Sequence, residues 1–313
     1  MTAESQSTEF HCVLDARAQL GECPRWDERE RVLYWVDILE PALHRFDPAS
    51  GATTTFALPE HIGCFSLREG EGGGFIAGLR SGVWTLDSEA RPLTMLAANP
   101  ENPQTSRFND GRCDAAGRFF AGTIDEPKAG GHAHLYRLNT NVATQATETN
   151  SASATLTPLS AGLMTSNGLA FSPDSRWLYH SDTPRFTVYR SAYDAATGAC
   201  GERETWITVE PTPQDRGRPD GAAVDADGYY WSAFYEGGRV VRFTPDGAID
   251  AVYPLPVTCP TMCAFGGPDL RTLYVTSARA GRPADELARE PLAGGLFALR
   301  TAVPGRVEPR WRG

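Results

Sequence analysis

One short pattern recurs six times along the 313 residues: an apolar strand rich in aromatic or aliphatic side chains, a turn, and a second strand. The copies are LYWVDILEPALHRFD from Leu33, FIAGLRSGVWTLD from Phe75 and FFAGTIDEPKAGGHAHLYRL from Phe119. They continue with LYHSDTPRFTVYRSAYD from Leu178, YYWSAFYEGGRVVRFTPDG from Tyr229 and LYVTSARAGRPADELAREPLAGGLFAL from Leu273. Their starts lie 42, 44, 59, 51 and 44 residues apart, the period of a propeller blade. A further apolar strand and turn stand before each copy, as in GRCDAAGRFF, GLAFSPDSRW and GAAVDADGYY. The unit is therefore a four-stranded antiparallel sheet, and six units predict an all-β, six-bladed β-propeller. Two packed sandwiches would not need six similar units.

Within the strands, polar and apolar side chains mix at a two-residue period, as in Arg239-Val240-Val241-Arg242-Phe243. Asp285–Glu290 (DELARE) is the one place expected to turn as a helix. Trp35, Trp84 and Trp231 fall on blade strands and read as core between blades. The widest gap holds a polar tract, Asn139–Pro158, expected as a long hairpin or surface insertion on one blade. Residues 1–313 are thus expected to form a single propeller domain, and a monomer.

Charge narrows the partners. There are 29 Lys and Arg against 39 Asp and Glu, a net −10, which argues against nucleic acid or an anionic membrane. No apolar run approaches the ~18 residues of a spanning helix. The N-terminus MTAESQSTEF lacks a basic region and an apolar core, so a cytoplasmic location is expected. Seven cysteines are scattered without a Cys-x-x-Cys pair, unlike a zinc site or a disulfide framework. Cys64 and Cys263 lie in apolar runs and read as small buried hydrophobes.

In a propeller, function sits where inner strands bring side chains from different blades to one channel mouth. Asp110-Gly111, Asn167-Gly168 and Asp220-Gly221 stand at what reads as the same place, just before the first apolar strand of three units. An isolated dipeptide of this kind is a hairpin turn. Here the next turn has its own residues, Asp114…Gly117, Pro173-Asp174 and Asp225…Gly228, so the dipeptides occupy the other end of the strand. The first unit offers Glu22 in LGECPRWD. Glu22, Asn167 and Asp220 make an all-oxygen set with two negative charges, whose carboxylates would repel without a cation. One divalent cation resolves this; hard donors suit Ca²⁺, Mg²⁺ or Mn²⁺, while Zn²⁺ and Fe²⁺ stay open.

Arg107 and Asn109, two apart in SRFNDGRCD, share a face if extended and are suited to holding the hydroxyls of a polyol-like ligand. Other candidates are weaker. No G-x-S-x-G elbow occurs. His132 and His134 form His-x-His in a Gly-rich loop and read as exposed rather than as a ligand pair. His61 and His180 have apolar neighbours and read as hydrogen-bonded core residues, His180 within reach of the channel. Gly72-Gly73-Gly74 reads as a hairpin tip.

These strings resemble the SMP-30/gluconolactonase/luciferin-regenerating-enzyme-like family. LGECPRWDERERVLYWVDI, SRFNDGRCDAAGRFFAGT, SNGLAFSPDSRWLYHSD, PDGAAVDADGYYWSAFYEGGRVVRF and FGGPDLRTLYVTSAR…LAGGLFAL occur in the family's order, from about Leu20 to Leu299. The resemblance implies a six-bladed propeller with one divalent metal in the central channel. It implies Glu22, Asn167 and Asp220 as metal ligands and Arg107 and Asn109 as the substrate-contacting pair. Asp110, next in the motif, is expected to touch substrate or to support the residues that do. Cys23 departs from the Ser or Gly common in the family, and the loop after Thr123 is short, which leaves substrate identity open.

The expected activity is a metal-dependent sugar lactonase, a hydrolase of carboxylic ester bonds. It would open an aldonolactone of the glucono-, galactono-, arabinono- or xylono- type to its acid, with Asp220 as general base. A regucalcin-like calcium-binding regulator is the first alternative, although it would need neither Arg107 nor Asn109. An organophosphate or aryl-ester hydrolase is the second, and it would favour a more apolar pocket.

Overall fold

The computed structural model describes residues 9–70, 72–140 and 154–313. They form six four-stranded antiparallel sheets in a ring, a six-bladed β-propeller. Five blades run in chain order from the axis outward. Their inner strands are Gly21–Asp27, Ile62–Leu67, Ser106–Cys113, Ser166–Phe171 and Arg218–Val224, with Pro260–Gly266 in the sixth. The sixth blade is built differently. Its strands Pro260–Gly266, Thr272–Ser277 and Leu296–Arg300 are completed by the N-terminal strand His11–Leu14, in the register His11↔Ala298 and Cys12↔Phe297. Pairing His11–Leu14 with Leu296–Arg300 in one sheet ties the sixth blade to the first and closes the ring.

The expected turns fall where their residues dictate. Asp114 Oδ1 accepts Ala116 N at 3.0 Å and Arg118 N at 2.8 Å. Asp225 Oδ1 accepts Asp227 N at 3.0 Å and Tyr229 N at 2.9 Å. Each Asp thereby reverses the chain between an inner strand and its neighbour. The core fills the spaces between blades: Phe65, Phe75 and Phe108 are fully buried in a cluster that spans blades 1 to 3, and Trp231 meets Phe265 edge-on between blades 5 and 6, 5.8 Å between centroids. Trp35 and Trp231 are buried as expected, whereas Trp84 is half-buried and donates Nε1 to Ser81 Oγ at 3.0 Å. The helical turn expected at 285–290 is the helix Ala284–Arg289.

The polar tract 139–158 belongs to a hairpin of the third blade. Its ends pair as Asn139↔Thr155 and Thr140↔Ala154, and residues 141–153 lie outside the described residues. Among the described residues no helix is long and apolar enough to cross a membrane.

The C-terminal segment returns over one mouth of the channel. Arg310 Nη2 meets Asp27 Oδ1 at 2.5 Å, Trp311 N donates to Leu67 O at 2.8 Å, and Arg312 N donates to Gly117 O at 3.1 Å. It bonds in this way to blades 1, 2 and 3 at the ends of their inner strands. The opposite mouth, where the inner strands begin, stays open.

Two histidines differ from expectation. His61 is not in an apolar setting: its Nδ1 accepts Arg80 Nη2 at 3.0 Å, beside Glu60 and Glu126. His180 is fully buried, yet neither ring nitrogen has a hydrogen-bond partner among the described residues. It packs 5.3 Å from the Tyr189 ring, with the Arg203 guanidinium as its charged neighbour. Burial, aided by Arg203, depresses its pKa to about 3. The unfolded chain protonates this histidine near 6.5 and the native chain only near 3, so stability falls as pH drops between those values. At pH 5 the loss is about 2 kcal/mol. Urea unfolding of His180→Met at pH 7.5 and pH 5 is expected to show a decline with acid smaller than wild type by that amount. An equal decline in both proteins would mean that His180 is protonated in the native state.

Candidate functional site

Every inner strand carries a β-bulge near its start, and the bulges aim the site residues. The register shifts fall between Glu22 and Arg25, Phe108 and Gly111, Asn167 and Ala170, and Pro219 and Ala222. In these four blades two inner-strand residues face one on the neighbour, which bends the strand and re-aims its side chains. The Asn/Asp-Gly dipeptides therefore lie inside the inner strands, not before them as the sequence suggested. Gly168 shows the reason for the glycine. It has φ +59°, and a Cβ there would meet the Tyr230 hydroxyl at 2.4 Å, because the strands converge towards the axis. Cys23 adopts the same left-handed backbone at φ +50°, and its Sγ accepts Phe65 N at 3.4 Å from the next blade.

The three dipeptides are also out of register with one another. Asn167 is the last paired residue before its bulge, Asp220 is the first bulged residue, and Asp110 is the second. Asn109, not Asp110, is the counterpart of Asp220. One residue of slip can turn a side chain to another face, and at Asp110 it does. Glu22, Arg107, Asn109, Asn167 and Asp220 line one cavity of about 190 Å³ at the open mouth. Asp110 is buried and absent from that lining; its Oδ2 accepts Leu169 N at 2.8 Å, and its Oδ1 has no partner among the described residues.

Within the cavity, Asn167 Nδ2 donates to Asp220 Oδ1 and to Thr183 Oγ1, the latter at 3.1 Å. The Thr183 hydroxyl donates to Asp220 Oδ1 at 3.1 Å. Arg107 Nη1 donates to Asn109 Oδ1 at 2.9 Å and to Phe108 O at 3.0 Å, and Asn109 Nδ2 donates to Ser166 O at 3.1 Å. Glu126 stands behind Arg107, 3.6 Å from Nε. The expected pair thus forms one braced unit.

Electrostatics single out the carboxylates. Burial first, then the charges of Asp220 and Asp110, hold Glu22 well above the usual carboxylate range, with Arg107 opposing. Burial also raises Asp220, against the Thr183 hydrogen bond and the charges of Arg218 and Lys128. Carboxylates raised this way hold a proton more readily, or bind a cation instead. Among the described residues no three His, Cys, Asp or Glu side chains close to chelating distance; the third donor of this set is an amide. A half-turn of Asn167 would present Oδ1 towards Asp220. Two carboxylates and an amide, with an orphaned Asp110 oxygen beneath, fit a hard divalent cation and leave positions for water and substrate.

The sequence reading missed Thr183, Lys128, Arg218 and Tyr235, which line the same cavity. Thr183 follows a second strand, Tyr235 ends one, and neither carries a motif. Lys128 had a signal, for it is the only lysine in the chain. His132 and His134 do not form a pair. His132 is exposed, and His134 Nδ1 bonds Glu101 Oε1 at 2.9 Å.

If the raised carboxylates await a cation, Glu22→Gln should be more stable than wild type in chelator, by about 1–3 kcal/mol. Added divalent ions should raise the melting midpoint of wild type and barely move that of the variant. A variant no more stable in chelator would show that Glu22 is not strained there.

The family model described as SMP-30/Gluconolactonase/LRE-like region matches residues 20–279. The chain is 48% identical to the 6-deoxy-6-sulfogluconolactonase of Pseudomonas putida over 302 residues, covering 96% of this chain and 98% of that one. It is 38% identical to a pentonolactonase of Haloferax volcanii, over 95% and 96% of the two chains. Among solved structures, the calcium-binding protein regucalcin of Agrobacterium tumefaciens superposes with a TM-score of 0.86 at 30% identity, over 96% and 97% of the chains.

Proposed function

The chain belongs to the SMP-30/gluconolactonase/LRE-like family, and from that premise we propose that it is a sugar lactonase, a carboxylic ester hydrolase opening an aldonolactone to its acid. The observation that carries this reading is one cavity holding two buried carboxylates, the Asn167 amide and the braced Arg107–Asn109 pair. The relatives named for hexono- and pentono-lactone hydrolysis match it over nearly their whole length.

Each residue then has a role. Glu22, Asn167 and Asp220 would hold a divalent cation, which when bound supplies Lewis-acid polarisation of the lactone carbonyl. Arg107 and Asn109 orient the sugar hydroxyls, so that binding becomes positioning. Glu126, 3.6 Å from Arg107 Nε, places a negative charge behind the guanidinium. Asp220 takes the proton of the attacking water as its oxygen adds to the carbonyl carbon. The ring C–O bond then breaks, and its oxygen leaves as a hydroxyl carrying the proton that Asp220 took, so lactone and water give the hydroxy acid and Asp220 is restored. Thr183 keeps Asp220 turned towards the cavity, and Asp110 holds the neighbouring inner strand through Leu169 N.

Two variants test the assignment with a panel of aldonolactones in a pH-indicator assay, each with chelator and with added Ca²⁺, Mg²⁺, Mn²⁺, Zn²⁺ or Fe²⁺. Asp220→Ala should lower kcat/KM by about 10³-fold or more and weaken cation binding. Arg107→Ala should lower kcat/KM by about 10²-fold while calorimetry finds cation affinity within a fewfold of wild type. Near-normal turnover by a folded Asp220→Ala would overturn the metal and base assignment.

A further inference from the structure

Arginine supplies 28 of the 29 basic residues of this chain, and lysine appears once, at position 128. That single lysine lines the cavity holding Glu22, Asn167 and Asp220. Arginine's planar fork suits fixed, bidentate partners, while lysine is a compact, hydrated charge on a flexible stem. A chain that uses arginine everywhere else places the flexible cation at the rim of its site.

Three cations line the cavity, and two are committed. Arg107 is bonded to Asn109 and to the Phe108 carbonyl, with Glu126 behind it. Arg218 Nη2 meets Glu236 Oε2 at 2.5 Å, and its guanidinium lies 5.4 Å from the Tyr235 ring centroid. Lys128 is exposed and has no ion pair or side-chain hydrogen bond among the described residues.

The backbone beneath it is held firmly. Buried Asp125 accepts Lys128 N on its carbonyl at 2.9 Å, and its Oδ2 accepts Ala129 N at 3.1 Å and Gly130 N at 3.2 Å. Lys128 itself has φ +53°, a left-handed conformation that favours glycine or asparagine. A lysine in that conformation, on a pinned turn, over a cavity, is the kind of local strain that clusters at ligand sites.

We infer that Lys128 is a specificity-determining residue for a sugar lactone bearing a terminal oxyanion on the carbon farthest from the lactone carbonyl. The inference rests on the lactonase reading and deepens it. A hexonolactone with its carbonyl at the acidic floor and its hydroxyls on Arg107 and Asn109 would extend its last carbon to the rim. There Lys128 is the uncommitted charge. Sulfonate, phosphate and carboxylate share the required chemistry, and the lysine's flexible stem accommodates the arrangement of any of them.

The test compares kcat/KM for neutral glucono-lactone with its 6-sulfonated, 6-phosphorylated and 6-carboxylated counterparts, using metal-loaded wild type and Lys128→Met, Lys128→Glu and Lys128→Arg. Lys128 is exposed, so these variants should fold. Wild type should prefer one anionic lactone, and the arm giving the largest ratio over the neutral lactone names the oxyanion. That ratio should fall about 10- to 100-fold in Lys128→Met, further in Lys128→Glu, and largely return in Lys128→Arg. Added salt should lower the ratio in wild type and scarcely change it in Lys128→Met. A wild type preferring the neutral lactone, or a ratio unchanged within about twofold in Lys128→Met and Lys128→Glu, would overturn the inference and leave the lactonase reading standing. Failure of wild type to open any of these lactones with any cation would overturn both.

Discussion

Charge buried around the propeller axis is the constraint on which the rest of this structure depends. Glu22, Asp110 and Asp220 supply three carboxylates there, and Arg25, Arg107 and Arg112 supply three guanidiniums, none more than 5% exposed. Simple pairing would have cancelled them, but the arginines are used elsewhere. Arg25 Nη2 donates to Gly111 O at 2.6 Å, from blade 1 to blade 3. Arg112 Nη2 donates to Ala222 O at 2.9 Å, from blade 3 to blade 5. These guanidiniums act as struts across the channel and satisfy buried carbonyls, as buried donors must. The carboxylates keep their repulsion and their desolvation cost. The division is geometric: struts lie deeper along the inner strands, and carboxylates with no ion pair among the described residues gather where those strands begin.

The bulges make that division possible. A regular strand would alternate its side chains strictly, and neighbouring inner strands would present their polar residues at unrelated heights. One extra residue per inner strand changes the phase just below the mouth. Asn109 and Asp220 then face the cavity as first bulged residues, while Asp110, one position later, turns to the backbone of blade 4. The convergence that crowds the strands also demands small residues. A Cβ at Gly63 would lie 2.0 Å from Phe108 O, so the second blade contributes shape but no side chain at that point.

Much of this was legible in the sequence, because period and turn chemistry are local signals. The six apolar repeats marked the second strand of every blade to within a residue, and the Asp-x-x-Gly turns behaved as their residues require. The five cavity residues expected from the strand heads and the family strings do share one cavity. What was hidden depends on contacts between distant segments. No local pattern tells that His11–Leu14 completes the last blade, since a four-residue strand acquires meaning only from Leu296–Arg300 beside it. The register of the dipeptides was misread for a similar reason. Asp110-Gly111 and Asp220-Gly221 look alike in sequence, and only the pairing of Phe108 with Thr123 and of Pro219 with Phe234 separates them. His180 sits in an apolar run as expected, yet its lack of hydrogen-bond partners is a property of the packed neighbours. Lys128 is the opposite case, since its singularity was readable by counting and only its position at the cavity gives the count a meaning.

The same logic orders the basic residues around the site. Where geometry is fixed by the fold, as at Arg25, Arg107 and Arg112, a planar fork with several donors holds two partners at once, and arginine is the better residue. At the rim the partner arrives from solution and differs in position from one encounter to the next. A rigid fork there would be matched to one pose, and a nearby carboxylate would draw it away, as Glu236 draws Arg218. A lysine on a pinned turn separates the two requirements. Asp125 fixes where the stem begins, and the stem's own freedom lets the charge follow its partner. The floor of the cavity is thereby buried and acidic and its rim carries a cation on a flexible stem, a polarity that would suit the proposed ligand, electrophilic at one end and anionic at the other.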